Sequence, residues 1–266
     1  MRLWQVQRHW DELAKADPLW AVLTDADKQG KRWTVEEFYA TGVAEVEADL
    51  ARIGQLDPGH RRRNALDFGC GAGRLTQALA AHFKSVVGVD ISHRMIELAR
   101  RHSPNPRVAF VQSARPDLKE FAGGSFDLVY SRITLQHIAP RYTRRYLKEF
   151  VRILAPGGLA WIQVPSSIPP GDPPERFQFS LWPPTVWMRV KRYLRYHYPG
   201  WFPGTPKMQM FSMSRAEVEA CLVESGAVVL SVERSPADGF ENLVYAARKP
   251  SPETGASPHS GREAGR

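Results

Sequence analysis

The chain has 266 residues, 43% of them hydrophobic, and 36 Lys and Arg against 28 Asp and Glu give a net charge of +8. That is enough apolar material for one sizeable core, and no apolar run approaches the roughly 18 residues of a membrane span. Two cysteines, Cys70 and Cys221, suggest neither a disulfide framework nor a zinc site.

The first segment, residues 1–58, reads as helical. Its opening, MRLWQVQRHWDELAKADPLW, has no apolar signal core, so a cytoplasmic protein is expected. In TVEEFYATGVAEVEADLARI, Thr34 and Glu37 form a capping box. Val35, Phe38, Val43, Val46, Leu50 and Ile53 follow at roughly helical spacing and predict one buried face. Asp57-Pro58-Gly59 breaks the helix.

Strand and helix then alternate over residues 59–164. NALDF reads as a strand and GRLTQALAAHF as a helix. SVVGVD is a second strand, and SHRMIELARRH a helix with Ser92 as its N-cap. RVAFVQ and SFDLVYS are further strands, and YTRRYLKEFVRIL is a helix. Pro156-Gly157-Gly158 reads as a turn before the strand LAWIQV. This order predicts a doubly wound parallel sheet with helices on both faces.

Residues 165–212 break the alternation with an insert rich in Pro, aromatic and basic residues. Within it, Val186, Trp187, Val190, Tyr193 and Leu194 recur at helical spacing beside Arg189, Lys191, Arg192 and Arg195. Such a basic amphipathic helix suits a core cap, a lid over an anionic acceptor, or an anionic membrane surface. SRAEVEACLVESG then opens a helix with a second capping box, Ser214 and Glu217. AVVLSV and NLVYAAR follow without an intervening helix and predict antiparallel neighbours. The tail, residues 250–266, lacks large apolar residues, and its composition predicts disorder.

The chemistry concentrates in ALDFGCGAGRLTQAL. Gly69, Gly71 and Gly73 lie where the first strand meets the first helix of the alternating region. Glycine there allows a tight turn or close approach of a ligand to the main chain. A phosphate loop needs Gly-Lys-Ser/Thr, which is missing; a dinucleotide fingerprint needs Gly or Ala where Arg74 stands. Asp90 ends the second strand, seventeen residues past Gly73, placed for its carboxylate to accept both hydroxyls of a ribose. Together they imply an adenosine-bearing ligand at the strand ends.

On these motifs the sequence resembles the class I S-adenosylmethionine-dependent methyltransferases. LDFGCGAGRLT resembles their first motif, and VVGVDIS with MIELAR the second strand and its helix. GSFDLVYSRITLQHI resembles the fourth strand and its exit, and RILAPGG the turn before the fifth. The resemblance covers residues 60–164 closely and 213–248 more loosely. It implies a Rossmann-like, mostly parallel seven-stranded sheet with an antiparallel last strand, and residues 59–249 as the catalytic domain. It implies S-adenosyl-L-methionine as cofactor and S-adenosyl-L-homocysteine as product. Asp67, Gly69, Cys70, Gly71, Gly73 and Arg74 would surround the methionine part, with Arg74 toward its carboxylate. Asp90 would take the ribose hydroxyls and Ile91 would pack on adenine. Ser131 and Arg132 would line the methionine side through their backbone. Ala114 stands where the family often has an Asp toward the adenine amino group, so Ser113 or the backbone of Ala114 and Arg115 takes that place.

An acceptor that loses a proton needs a base within hydrogen-bond reach. His137, just past the fourth strand, is the first candidate, with a structural histidine as the plainer reading; His197, Tyr193 and Tyr196 stand behind it. No metal cluster is evident. The expected reaction is methyl transfer to O or N of a small-molecule acceptor, anionic and lipid-linked acceptors included. Nucleic-acid substrates are disfavoured, because Ser131-Arg132-Ile133-Thr134 replaces the Asn/Asp-Pro-Pro-Tyr/Phe motif of base methylation. Three alternatives stay open: a non-catalytic binder of the cofactor or its product that meets a membrane surface, a methyltransferase acting on RNA or protein, and a nicotinamide oxidoreductase. Peripheral membrane contact and oligomeric state are also left open.

Overall fold

The computed structural model describes residues 2–167, 209–235 and 241–251. The N-terminal segment holds α1 (Leu3–Ala16), α2 (Pro18–Val22), a single 3-10 turn (Ala26–Lys28) and α3 (Val35–Leu56). Asp17, between the first two helices, accepts the N–H groups of Gly30 and Lys31 on one carboxylate oxygen and ties the intervening loop back.

The expected capping box opens α3. Thr34 Oγ1 accepts the Glu37 N–H at 3.2 Å, and Glu37 Oε2 accepts the Thr34 N–H at 3.3 Å. The buried stripe is Phe38, Gly42, Val46, Asp49, Leu50 and Ile53. Val35 and Val43 depart from the expected face, being 37% and 46% exposed. Val35 is the first helical residue, and Val43 is turned about 140° from Phe38. Two polar-path positions, Gly42 and Asp49, replace them on the inner face. A Cβ on Gly42 would stand 2.5 Å from the Arg74 carbonyl oxygen, so glycine permits the close approach of α3 to the next helix.

The sheet contains β1 (Asn64–Phe68), β2 (Ser85–Asp90), β3 (Val108–Gln112), β4 (Phe126–Ser131), β5 (Leu154–Ser167), β6 (Val228–Ser235) and β7 (Glu241–Arg248). Their spatial order is β3-β2-β1-β4-β5-β7-β6. The first five run parallel, and β7 is antiparallel to both β5 and β6. This is the expected seven-stranded α/β architecture with an antiparallel final strand. The helices between strands are α4 (Arg74–Leu79), α5 (His93–His102), α6 (Pro140–Ile153) and α7 (Arg215–Glu224). Ser92 caps α5 by accepting the Met95 N–H, and Ser214 with Glu217 caps α7.

Alternate residues of each strand feed two cores, as the period of two requires. Leu66, Phe68, Val129, Ile162 and Tyr245 pack with α6 and α7. Ala65, Leu128, Tyr130, Trp161 and Val244 pack with α3 and α4. Complete burial of a side chain such as Ile53 or Leu79 contributes roughly 2 kcal/mol.

Two boundaries differ from expectation. α4 stops at Leu79, short of Phe83, whose ring is buried beyond the helix end. β5 begins at Leu154 and passes through the predicted 156–158 turn. Gly157, at φ 76°, gives its N–H to the Lys249 carbonyl, and the Lys249 N–H returns to Gly158. The β4–β5 pairing shifts register there, from Phe126 opposite Leu154 to Leu128 opposite Leu159, so the extra residues bulge on β5. The amphipathic segment around 186–195, with Tyr193, Tyr196 and His197, lies outside the described residues, as do residues 252–266 of the tail.

Replacing Gly42 with Ala tests the α3–α4 approach. Alanine ordinarily favours a helix over glycine by about 1 kcal/mol. Here overpacking outweighs that gain, and chemical denaturation is expected to show a net loss of about 1–3 kcal/mol.

Candidate functional site

The strand order places a switch point between β1 and β4, the position at which open parallel sheets hold ligands beyond the strand ends. Gly69, Gly71 and Gly73 leave β1 with φ of 78°, 51° and 84°. The Gly69 and Cys70 N–H groups both donate to the Val89 carbonyl. The Gly71 N–H donates to Asp90 Oδ2 at 2.9 Å, and the Ser92 N–H donates to Asp90 Oδ1 at 2.8 Å. The glycine turn and Asp90 are therefore one bonded unit. Each Asp90 oxygen has accepted one N–H and retains acceptor capacity.

The glycines are required first by the protein itself. A Cβ on Gly69 would meet Thr134 at 2.1 Å, on Gly71 would meet Val22 at 2.6 Å, and on Gly73 would meet Phe110 at 2.8 Å. The left-handed backbone adds a second reason at each position.

Beneath the turn, Asp67 is buried and its Oδ2 accepts the Thr76 hydroxyl at 2.6 Å. Burial pushes its pKa up to about 7, against the pull of Thr76 and Arg74. Burial likewise raises Asp90 to about 6, against the Ser92 and Gly71 N–H groups. Cys70 is buried with its thiol pushed well up by desolvation, an inert hydrophobe at neutral pH.

Arg74 turns inward from the start of α4. Its guanidinium donates to Glu45 Oε2 at 2.7 Å and to Thr41 Oγ1 at 3.2 Å, both on α3. The guanidinium is thereby tied into an ion pair with α3. Glu45 Oε1 also receives Arg132 Nε at 2.9 Å, and Asp49 Oδ2 lies 3.6 Å from the same nitrogen. Tyr130 OH donates to Asp49 at 2.6 Å. Burial opposes ionisation of Glu45, but Arg74 and Arg132 outweigh it and hold its pKa below the usual range. For Asp49, burial outweighs Arg132 and the pKa is raised.

Ser131 and Arg132 reach their surroundings through side chains as well as backbone. Ser131 Oγ donates to the Phe68 carbonyl, bolting the end of β4 to the end of β1. Next, Ile133 adopts φ 56°, an uncommon conformation for a β-branched residue. Its N–H donates to the buried Gln163 side chain of β5 at 3.2 Å. Thr134 Oγ1 then donates to the Arg132 carbonyl at 2.9 Å, with the Gly69 carbonyl at 3.3 Å.

His137 closes a short 3-10 turn, Leu135–His137. Its Nδ1 lies 2.9 Å from the Gln209 carbonyl and its Nε2 lies 3.1 Å from Gln136 Nε2. A carbonyl only accepts, so the proton sits on Nδ1 and Nε2 accepts from Gln136. Trp10 packs edge-on to the ring at 5.1 Å. Burial lowers its pKa to about 4, against the pull of the Gln209 carbonyl, so the ring is neutral at pH 7.

The N-terminal segment covers these loops. Asp11 accepts the Ser92 hydroxyl at 2.6 Å, and Tyr39 OH donates to the Ala72 carbonyl at 2.8 Å. Phe38 is fully buried, packed between Trp33 and Tyr39. Past β3, the Ser113 N–H donates to the Asp90 carbonyl at 3.0 Å. Ser113 Oγ is buried without a hydrogen-bond partner. Ile91 and Ala114 are both half-buried nearby in sequence, and the Ile91 carbonyl accepts from Gln112. A dihydroxylated ribose fits the open acceptor capacity of Asp90, and an adenine edge fits the orphaned Ser113 hydroxyl.

Glu45, Asp49, Thr134 and Gln163 were not singled out from the sequence. A trace existed for one of them: Asp49 interrupts the apolar stripe of α3. Among the described residues, no three His, Cys, Asp or Glu are grouped to hold a metal ion, and no helix is long and apolar enough to cross a membrane.

Comparison with known proteins places these features in context. A family model described as a methyltransferase domain matches residues 66–162. Phosphoethanolamine N-methyltransferase 3 of Arabidopsis thaliana is 33% identical over 125 residues, 46% of this chain and 24% of the relative. Trans-aconitate 2-methyltransferase of Delftia acidovorans is 34% identical over 122 residues, 44% of this chain and 42% of the relative. The chain thus spans less than half the length of the curated relatives it matches first. Magnesium protoporphyrin IX methyltransferase of Synechocystis PCC 6803, solved with bound SAH, superposes with a TM-score of 0.59 at 16% identity. That match covers 92% of this chain and 98% of the other.

The buried carboxylates set a pH dependence. Asp67 ionises near 3.8 when unfolded and near 7 when folded. Between these values the folded state holds the extra proton, so stability falls as pH rises from about 4 to about 7. Asp90 contributes with the same sign up to about 6. Asp67→Asn keeps an acceptor for Thr76 and removes the penalty. Thermal melts are expected to show it more stable than wild type at pH 8, by on the order of 2–4 kcal/mol, and little changed at pH 4.

Proposed function

We propose that the chain, whose residues 66–162 match a methyltransferase-domain family model, is a class I S-adenosylmethionine-dependent methyltransferase that methylates oxygen or nitrogen of a small acceptor bearing a carboxylate or phosphate. The observation that carries this reading is Asp90, a half-buried carboxylate at the end of β2, bonded to the Gly71 N–H of the positive-φ turn. Two relatives bear names with small anionic acceptors, phosphoethanolamine and trans-aconitate, which support the acceptor class.

S-adenosylmethionine, when bound, supplies an electrophilic methyl group on a sulfonium. The chain's residues do the rest by binding and alignment. Asp90 accepts the two ribose hydroxyls on its remaining lone pairs. Ser113 Oγ and the backbone around Ala114 receive the adenine edge, with Ile91 against the ring. The turn from Asp67 to Arg74 supports the amino-acid part. Ser131 and Thr134 fix the β4 exit against β1, which sets the floor of the transfer site. Residues 1–58 act as a cover, with Val22, Tyr39 and Trp10 excluding water from the loops beneath. Residues 59–249 form the transfer domain. His137 holds the cover against the chain at Gln209. To serve as a base it would first release Gln136 from Nε2, the nitrogen that carries its lone pair.

Methyl-labelled S-adenosylmethionine, offered with phosphoethanolamine, trans-aconitate and a pool of small carboxylates and phosphates, tests the reading. The expected result is labelled acceptor and S-adenosylhomocysteine in equal amounts. Asp90→Asn is expected to raise the cofactor KM at least about tenfold, because a neutral amide replaces a charged acceptor. Cofactor binding without transfer to any acceptor would instead make the chain a non-catalytic binding protein.

A further inference from the structure

Arg132 occupies a place that the mechanism above leaves unused. It follows directly on β4, the central strand, beside the switch point between β1 and β4. Its Nε is spent on Glu45 at 2.9 Å, with Asp49 at 3.6 Å on the same nitrogen. Its two Nη groups make no hydrogen bond among the described residues. The side chain is only 12% exposed. A guanidinium is rarely left with its planar fork unpaired in such a place, because the fork matches a carboxylate or phosphate bidentately.

The backbone around it is held with unusual care. Ser131 is bonded to Phe68, the Arg132 carbonyl accepts Thr134 Oγ1, and the Ile133 N–H reaches Gln163. Ile133 bears a left-handed φ of 56°, a conformation that costs of order 1–3 kcal/mol in a non-glycine residue. This set of bonds fixes the direction in which the Arg132 side chain departs. Glu45 and Asp49 both engage it through Nε, so neither hydrogen-bonds the Nη pair.

Strand order indicates which anion the fork meets. Asp90 ends β2, the glycine turn ends β1, Arg132 ends β4, and its neighbour Ile133 is bonded across to β5. A ligand with its ribose at Asp90 and its amino-acid part at the β1 turn reaches toward β4 with its far end. An acceptor in line with the transferred group lies over β4 and β5. We infer that the Arg132 guanidinium binds the carboxylate or phosphate of the methyl acceptor, with Glu45, Asp49 and the Ile133–Gln163 bond as its positioning residues. This rests on the methyltransferase reading and narrows its substrate class to anions recognised by a bidentate fork.

Calorimetric titration tests it on the full chain, comparing wild type with Arg132→Gln and Arg132→Lys. The probes are phosphoethanolamine, trans-aconitate and inorganic phosphate, each added with and without S-adenosylhomocysteine. S-adenosylhomocysteine and 5′-methylthioadenosine, which lacks the amino-acid carboxylate, are titrated separately. The expected result is at least one anionic probe bound by wild type and weakened about 10- to 100-fold in Arg132→Gln. Arg132→Lys, which keeps the charge and loses the fork, falls between them, and the ratio of S-adenosylhomocysteine to methylthioadenosine affinity stays at the wild-type value.

Loss of S-adenosylhomocysteine affinity alone, with methylthioadenosine unchanged, would assign the fork to the cofactor's carboxylate and overturn the proposal. So would unchanged affinities, or a wild type that binds none of the anions. Failure of both variants to fold would make Arg132 a structural residue and also overturn it. Failure of the methyltransferase reading is separate: wild type then binds no S-adenosylhomocysteine, while Arg132-dependent binding of an anion still stands.

Discussion

Glu45 holds two arginines at once, and the arrangement of the strand ends follows from that contact. One oxygen receives Arg74, at the start of α4, and the other receives Arg132, at the end of β4. The carboxylate on α3 thereby ties the exits of β1 and β4 to a single helix. Asp49, one turn along, adds Tyr130 and a second oxygen near Arg132. Such a buried cluster gives little net stability, since desolvation offsets most of the Coulomb gain. Removing one member is different. It leaves an uncompensated charge, at a cost of about 3–5 kcal/mol. The cluster thus enforces one arrangement of the loops more than it strengthens the fold. Gly42 is its steric condition, because any side chain there would push α3 off the Arg74 backbone.

A second consequence is that the N-terminal helices belong to the site. Val22 lies over Gly71, Tyr39 bonds to Ala72, Asp11 bonds to the cap of α5, and Trp10 packs on His137. These contacts all fall on the loops that follow β1, β2 and β4. His137 joins this cover to Gln209, near the end of the 165–212 insert. Its neutral ring and its engaged nitrogens suit a tether whose geometry persists across neutral pH.

Much of this architecture was legible in the sequence because its signals are local. Strand and helix alternate with few ambiguities, and the capping pairs Thr34 with Glu37 and Ser214 with Glu217 fix where two helices begin. The glycine spacing and Asp90 pointed to one place, and the structure bonds them through the Gly71 N–H. What was not legible is long-range. Glu45 and Arg132 are 87 residues apart, and no periodicity marks an acid on a helix as the partner of an arginine after a distant strand. Val43 is exposed against its pattern for a related reason: a hydrophobic residue in a helix carries no record of which face its neighbours will cover. The left-handed Ile133 has no sequence signature, since the conformation is imposed by Gln163 and Thr134 against the residue's own preference.

Equilibrium binding of the demethylated product tests most directly whether the turn after β1 and the carboxylate after β2 form one adenosine site. S-adenosylhomocysteine titrated into wild type and Asp90→Ala, both verified as folded, isolates that site from any question of acceptor. Saturable binding to wild type with one site per chain is expected, with a loss of at least about tenfold in affinity on removing the carboxylate. No binding to folded wild type, or equal binding by the variant, would contradict it.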